Sequence, residues 1–476
     1  MALRQNSVFR GLFGVDRQER LKLLLLAAAF FLVIASYTVV RELKDSIFIA
    51  LVGRDLLPDA KIYSMFVLVP AIIFYAYLVD RMRRYKLLYF YSFFYGLAGL
   101  TFAYFLGDPV TGLANTQTGA HRLMGWLFYF FIEGYSPFVV SLFWAFSNSI
   151  SSPESAKRSY GFLVSGSKLG GAFSAALAWY FFSTSIPQIV KLSDTVKHQV
   201  LIVFSSVLLL CVPILIYLLI KLVPGRYLHG YEAAYQIEKE RAVIDDAEKP
   251  GLLRGLLLLL KFPYVMGIFG IIFFYEVSNV ILSYQRLILA SDSVVGCGIS
   301  ALSCKLFEQI FWVHTVGFVI SFFGTTYLLN KLGERWMLLL IPLLSGFLMF
   351  AFVFAGIWLP QYSWAITTIV FVGLRAINYG ATYPVRESLY IPTIKDVKFK
   401  SKSWIDAFGT KIAKGAGSGV NILMKFVLAN FGYLVFIWSL ISIFGLIVAL
   451  WMVIAQLLGK RYDQLIKHNE VVGAES

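Results

Sequence analysis

The sequence predicts an all-α polytopic membrane protein, with twelve transmembrane helices in two six-helix bundles. Hydrophobic residues make up 59% of the 476-residue chain and charged residues only 14%, which is more apolar surface than one soluble core can bury. Apolar runs of about 20 residues recur along the chain, and each can span a ~30 Å hydrocarbon layer. The alternative is a large soluble protein with several hydrophobic cores, and the length of these runs argues against it.

The first apolar run begins near Leu21, behind a short basic N-terminal segment. A cleaved signal peptide is one interpretation of this run. We favour a first transmembrane helix, because the run is about 20 residues long and leads directly into Arg41.

Hydropathy places twelve spans along the chain. They are predicted at residues 21–50, 61–80, 86–106, 122–151, 159–183, 198–222, 262–290, 305–330, 336–359, 362–393, 403–430 and 433–457. Several spans are longer than the bilayer is thick, so we expect tilt, breaks or protruding ends. The longest polar stretch separates an N-terminal bundle, 1–222, from a C-terminal bundle, 261–476, and residues 223–260 form the predicted cytoplasmic linker.

Lysine and arginine are distributed unevenly among the connections between spans. With both termini in the cytoplasm, the inner segments hold 27 of the 42 basic residues and the outer loops hold seven, with Arg286 counted among the seven. Such an excess on one side predicts this orientation. It also explains the net charge of +15 as a property of topology, so nucleic acid is not an expected partner.

The two halves of the chain repeat short motifs in the same order. Residues 80–86 after span 2 correspond to residues 330–335 after span 8, and Gly-Ser-Lys168 in span 5 corresponds to Gly-Thr-Lys411 in span 11. Parallel repetition is typical of the major-facilitator plan, in which two bundles face a central cavity and the substrate binds near the midplane. We therefore predict a major-facilitator-like architecture.

Charged residues inside the spans indicate what the cavity binds. Eight basic residues lie there: Arg41, Lys44, Lys168, Arg375, Arg386, Lys411, Lys414 and Lys425. Facing lipid, they would cost on the order of 20 kcal/mol in total. The acids within spans are Glu42, Asp45, Glu133, Glu276 and Glu387. Because the cations outnumber the acids, we predict a wet, positively charged cavity that selects anions.

Arg41, Lys44 and Asp45 share one face of an uninterrupted helix, because they stand at positions i, i+3 and i+4. A guanidinium and an ammonium offered together suit phosphate oxygens. In the alternative interpretation, span 1 ends near Val40 and the three residues form an interfacial flank with snorkelling side chains. The apolar continuation after Asp45 favours the first interpretation.

Glu133 and Glu276 each follow at least four apolar or aromatic residues. A carboxylate in such surroundings is costly unless it is paired or protonated, so both are candidates for ion pairing or proton handling. The alternative is a helix–helix hydrogen bond that only holds the bundle together. Arg386 and Glu387 follow Pro384, which can break the helix beside a ligand site; a local ion pair is the alternative there.

Glycines accompany Lys168 and Lys411. Gly-x-x-x-Gly patterns at 166–170 and 415–419 are typical of faces where helices approach closely. Packing accounts for the glycines but not for the two lysines.

We find no catalytic, cofactor-binding or metal-binding motif. The five histidines lack ligand spacing, no nucleophile elbow is present, and the glycine-rich stretch before Lys168 departs from a phosphate loop. We therefore expect no enzymatic activity and no cofactor. Cys297 and Cys304 share one polar loop, and a disulfide between them stays open.

The segment Arg41-Glu-Leu-Lys44-Asp45 resembles the Arg-x-x-Lys-Asp signature in the first helix of the non-mitochondrial ATP/ADP translocases, the nucleotide transporters of obligate intracellular bacteria and of plastids. Further motifs follow in the family's order, and the resemblance covers nearly the whole chain. They are Glu133 with the stretch 141–148, the loop 154–160, Glu276, the segment 386–392, the basic loop 395–402 and Lys411.

The resemblance implies that Lys44, Glu133, Glu276 and Arg386 are functionally important charges. Arg386 stands where the family has lysine, and Tyr135 stands where it has tryptophan. We expect a substrate site formed by Arg41, Lys44, Glu133, Asn148, Lys168, Glu276, Arg386 and Lys411. Tyr135, Phe138 and Tyr383 are candidates for stacking on the nucleotide base.

By the same resemblance we expect ATP/ADP-type exchange by alternating access in the inner membrane of a bacterium, carried out by a monomer surrounded by lipid. The family also includes proton-driven nucleotide importers and NAD-type exchangers. An organic-anion transporter and a non-transporting membrane sensor are more remote alternatives.

Overall fold

The computed structural model describes residues 16–151, 153–228, 252–320, 325–394, 397, 401–468 and 470–473. Within these residues the chain is helical, and the only β pairing is an isolated bridge between Thr393 and Val472. The main helices are α1 Arg17–Leu51, α2 Leu57–Arg81, α3 Arg84–Leu106, α4 Leu123–Glu133, α5 Ser141–Ser149, α6 Pro153–Ser183, α7 Asp194–Leu222, α8 Leu252–Lys261, α9 Pro263–Asp292, α10 Ile299–Val319, α11 Thr325–Trp358, α12 Ser363–Ile377, α13 Tyr383–Leu389 and α14 Thr410–His468.

The all-α prediction is confirmed, and each predicted span overlaps at least one of these helices. Nine helices in the described part of the chain are long and apolar enough to cross a membrane. One of the nine, α14, contains two helices joined at a kink at Gly432, where φ is 80°. The total of twelve crossings stays a prediction.

The described chain forms two compact units. Unit 1 contains Met1–Ile244 together with Ala290–Phe322, and unit 2 contains Asp245–Leu289 together with Phe323–Ser476. Unit 1 therefore includes α10, which packs against α6 and α1. The bundle boundaries near residues 222 and 261 follow the sequence repeat and stay a prediction.

The centre of unit 1 is α1, which packs against α4, α6 and α7. Its contact with α6 is close, because a Cβ atom added at Gly170 would lie 2.4 Å from the carbonyl oxygen of Phe31. The 166–170 glycines thus form the packing face that the sequence predicts. In the second pattern, 415–419, the prediction is wrong for Gly419, where a Cβ would meet nothing within 4 Å.

Unit 2 has a core of large apolar side chains from α9, α11, α12 and α14. Trp451 and Phe444 of α14 are fully buried there, together with Leu338 of α11 and Ile268 of α9. Helices α9 and α14 approach each other closely at Gly417, where a Cβ would lie 3.0 Å from the carbonyl oxygen of Val277.

In the described part of the chain, short π-helical segments interrupt the helices at Ser136–Val140, Asn378–Thr382 and Ile405–Gly409. The first joins α4 to α5, and the second joins α12 to α13. A π turn contains one residue more than an α turn and is frequent at functional sites. These breaks lie beside Glu133, between Arg375 and Arg386, and around Asp406.

Candidate functional site

Helix α1 continues as one helix to Leu51, so Lys44 lies within it. Ile47 and Phe48, one turn further on, are fully buried. The helix therefore does not end near Val40, and Lys44 is a buried cation that must be paired or solvated, whereas its depth in the membrane stays a prediction.

Lys44 is paired within unit 1. Its Nζ lies 2.5 Å from Glu133 Oε1 and 3.2 Å from Asp45 Oδ1. The ammonium also lies over the ring of Tyr129, 4.2 Å from the ring centre. Only 6% of the Lys44 side chain and 17% of the Glu133 side chain are exposed. One buried cation thus faces two carboxylates and an aromatic ring, and the carboxylates offset the cost of its desolvation.

The position of Glu133 follows from the end of α4. Glu133 is the last residue of this helix, and two residues separate it from the π segment Ser136–Val140. Tyr129 stands one turn earlier on the same helix, so the carboxylate and the ring point the same way toward α1.

The other predicted residues of unit 1 lie on α1, α5 and α6. Arg41 lies one turn before Lys44; its Nε is 3.9 Å from Glu42 Oε1, and 31% of its side chain is exposed. Asn148 is exposed on α5, and Lys168 is buried on α6. Of the predicted site residues in unit 1, the structure shows Lys44 and Glu133 in direct contact. Asp45 and Tyr129 also contact Lys44, and the sequence does not predict them as site residues.

A second charged cluster lies in unit 2. Arg386 Nη1 is 3.2 Å from Asp406 Oδ1, and Nη2 is 3.5 Å from Glu387 Oε1. Lys402 Nζ is 2.5 Å from the other oxygen of Glu387. The guanidinium lies over the Tyr383 ring, 4.7 Å from its centre. The local pair of Arg386 with Glu387 is present, but it belongs to a network of two cations and two acids.

The two remaining predicted residues of unit 2 differ from this network. Glu276 lies in the middle of α9, partly buried, and its Oε2 is buried without a hydrogen-bond partner in the described part of the chain. Lys411 lies at the start of α14, half-buried, shortly after Asp406. The partners of Arg386 are instead Glu387 and Asp406.

The base-stacking prediction is wrong in this structure for two of its three candidate residues. Tyr135 is 2% exposed and stacks on Tyr37. Phe138 is 4% exposed and stacks on Tyr91. Both rings belong to the core of unit 1, whereas Tyr383 is 53% exposed. The three cysteines are free thiols.

No group of His, Cys, Asp and Glu side chains suited to a metal ion occurs among the described residues. The two clusters instead present ammonium and guanidinium groups that already bind carboxylate oxygens. Phosphate oxygens are equivalent partners for these donors, so both clusters can exchange a carboxylate for a phosphate.

A family model described as TLC ATP/ADP transporter matches residues 3–462. The chain is 22% identical over 495 residues to ADP,ATP carrier protein 1 of Rickettsia prowazekii (strain Madrid E), covering 96% of this chain and 97% of that protein. It is 23% identical to the chloroplastic ADP,ATP carrier protein 1 of Arabidopsis thaliana, covering 97% of this chain and 77% of that protein.

Solved structures share the fold at low sequence identity. The crystal structure of a D-xylose-proton symporter gives a TM-score of 0.61 at 14% identity, covering 92% of this chain and 96% of that chain. The inward open xylose transporter XylE from E. coli gives 0.59 at 14% identity, covering 92% and 95%. The major-facilitator-like fold class predicted from the sequence is confirmed.

Proposed function

Because the chain belongs to the TLC ATP/ADP transporter family, we propose that it exchanges nucleotides across a membrane by alternating access, with ATP and ADP as the principal pair. The observation that carries this proposal is the buried contact of Lys44 with Glu133. The relatives named ADP,ATP carriers support the same substrate class.

The contact between Lys44 and Glu133 suggests how cargo and protein compete. In the empty site Glu133 and Asp45 neutralise Lys44, which would otherwise be a buried, unpaired charge. An incoming phosphate oxygen takes the place of Glu133 on Lys44, and its charge keeps the ammonium paired. The carboxylate therefore raises selectivity, because only an anion can compete for this cation.

Each unit has its own set of proposed substrate-binding residues. In unit 1 they are Arg41, Lys44, Glu133, Asn148 and Lys168. In unit 2 they are Glu276, Arg386 and Lys411, with Asp406 and Lys402 positioning Arg386 and Glu387. Nucleotide is the cargo, and the driving force is its own concentration gradient and that of the counter-substrate.

The proposal extends to the setting of the protein. We infer that it acts as a monomer in the inner membrane of a bacterium, with both termini in the cytoplasm. The uneven distribution of lysine and arginine supports the orientation.

Reconstitution into liposomes tests this function. We expect uptake of labelled ATP when ADP is trapped inside, and only background uptake when the vesicles are empty. Lys44→Ala abolishes exchange, whereas Lys460→Ala, which changes an exposed lysine on α14, leaves it at the wild-type level. Uptake that ignores trapped ADP and follows a pH gradient would mean proton symport instead.

A further inference from the structure

Two arginines of unit 2 share one aromatic ring. The Cζ atom of Arg286, on α9, lies 4.3 Å from the centre of the Phe371 ring. The Cζ atom of Arg375, on α12, lies 4.5 Å from the same centre. Both arginines are nearly fully buried, with 3% and 7% of their surface exposed. Two guanidinium charges are thus held within roughly 9 Å of each other inside the protein.

Arg375 has no anionic partner in the part of the chain that the structure describes. Its Nε is buried and lacks a hydrogen-bond acceptor. A buried guanidinium normally binds a carboxylate or several carbonyl oxygens, because its desolvation is otherwise uncompensated. The attraction of the Phe371 ring offsets only part of this cost. The surroundings of Arg375 therefore lack an anion.

The chemistry of guanidinium indicates which anion fits. A guanidinium that lies over a ring uses its face, and its N–H donors remain in the plane at its edge. Those donors match the spacing of two oxygens on one phosphate. Arg375 offers the unpartnered donor, and Arg286 places a second guanidinium on the same ring.

The position in the chain separates this pair from the clusters described above. Arg375 precedes the π segment Asn378–Thr382, and Arg386 follows it. Arg286 lies about two turns before the end of α9 at Asp292, whereas Glu276 lies in the middle of that helix.

We propose that Arg286 and Arg375, held on Phe371, form a second anion subsite, which binds the terminal phosphates of a nucleoside di- or triphosphate. This inference rests on the proposed nucleotide exchange and assigns the recognition of phosphate number to unit 2. The subsite distinguishes ATP and ADP from AMP, because only they carry phosphates beyond the first.

Equilibrium binding to the purified full chain in lipid nanodiscs tests the subsite. Adenosine, AMP, ADP, ATP and pyrophosphate are titrated calorimetrically against wild type, Arg375→Gln and Arg286→Gln. We expect each variant to weaken ATP binding at least about tenfold while AMP binding changes less than about twofold. The matched control is Arg461→Gln, which removes an exposed cation of unit 2 and leaves the whole series unchanged.

Two milder variants keep the test decisive if a glutamine variant fails to fold. Arg375→Lys retains the charge but loses bidentate geometry, and Phe371→Leu removes the ring while keeping both charges. Both are expected to weaken ATP more than AMP. Wild-type discrimination in both of these folded variants would overturn the subsite, and so would an equal loss for every ligand.

The outcomes also separate this inference from the proposed function. If wild type exchanges nucleotides and Arg375→Gln retains the wild-type preference for ATP over AMP, the subsite is wrong and the function stands. Suppose instead that wild type binds pyrophosphate, that Arg375→Gln does not bind it, and that wild type transports no nucleotide. The anion subsite then stands and the proposed cargo is wrong.

Discussion

Lys44 on α1 and Glu133 on α4 stand 89 residues apart in the chain, yet only 2.5 Å separates Nζ from Oε1. Asp45, next to Lys44 on the same helix, supplies a second carboxylate at 3.2 Å. The cation therefore keeps one partner when the other leaves. An exchange site needs this property, because the ammonium must stay compensated while Glu133 and phosphate replace each other.

Glu133→Gln is expected to destabilise the protein moderately. The substitution removes the charge but keeps the size of the side chain. Because Asp45 remains beside Lys44, we expect a loss of about 1–3 kcal/mol in the free energy of unfolding, below the 3–5 kcal/mol typical of a broken buried pair. Chemical unfolding in detergent measures this loss. A change smaller than about 0.5 kcal/mol would mean that Glu133 does not stabilise Lys44.

Exchanging the two charges separates stability from transport. Lys44→Glu combined with Glu133→Lys restores an ion pair, so we expect most of the lost unfolding free energy to return. Transport should not return, because the cation then lies on α4 and not beside Arg41. Unfolding and liposome exchange are measured on the same preparations. Recovery of exchange would show that only the presence of the pair matters.

Arg386 is expected to tolerate lysine better than glutamine. Lysine keeps the charge between Asp406 and Glu387 but loses the two-pronged contact that the guanidinium makes with them. We expect Arg386→Lys to retain exchange within about tenfold, and Arg386→Gln to lose more than about 100-fold. Labelled ATP uptake measures both. Arg461→Gln, which breaks an exposed pair with Glu470, serves as the control.

Glu276→Gln is expected to affect transport without loss of stability. Glu276 Oε2 is buried and has no hydrogen-bond partner among the described residues, so neutralising the carboxyl removes a desolvation cost and breaks no ion pair. We expect the unfolding free energy to stay the same or to rise by up to about 1 kcal/mol. Exchange should fall at the same time. A clear loss of stability would show that Glu276 holds the helices together.

Gly171→Ala is expected to disturb the contact of α6 with α10. A Cβ atom there would lie 2.4 Å from the ring of His314, so a helix or the ring must move, at a cost of about 1–3 kcal/mol. The matched control is Gly419→Ala, where the added Cβ meets nothing within 4 Å; it should stabilise α14 by about 0.5–1 kcal/mol. Thermal unfolding compares the two. His314→Ala in the Gly171→Ala protein should recover most of the loss.

The helices of this protein are predictable from sequence because lipid imposes their length. The apolar residues after Asp45 correctly predict that α1 continues past Arg41. The expectation that Lys44 has a compensating partner follows from the same logic, since a lysine within an apolar helix needs one. Tyr129 is predictable in principle, because it stands one helical turn before Glu133.

Other features depend on packing that sequence does not encode locally. The partner of Lys44 lies on another helix, and a hydropathy profile does not predict which residues of different helices are in contact. Arg286 is counted with the outer loops because it lies near the end of a predicted span, but α9 runs on to Asp292 and the Phe371 ring covers the guanidinium. Tyr135 and Phe138 have the chemistry of base-stacking residues, but each ring already packs against two neighbouring rings in the core.

The π segments at Ser136–Val140, Asn378–Thr382 and Ile405–Gly409 also set the direction in which charged groups point. A π turn contains one residue more than an α turn, so each segment rotates the residues after it by roughly 100° relative to a regular α-helix. Asp406 lies within such a segment, and Arg386 follows one. Both side chains therefore point in a direction that an uninterrupted helix would not give them.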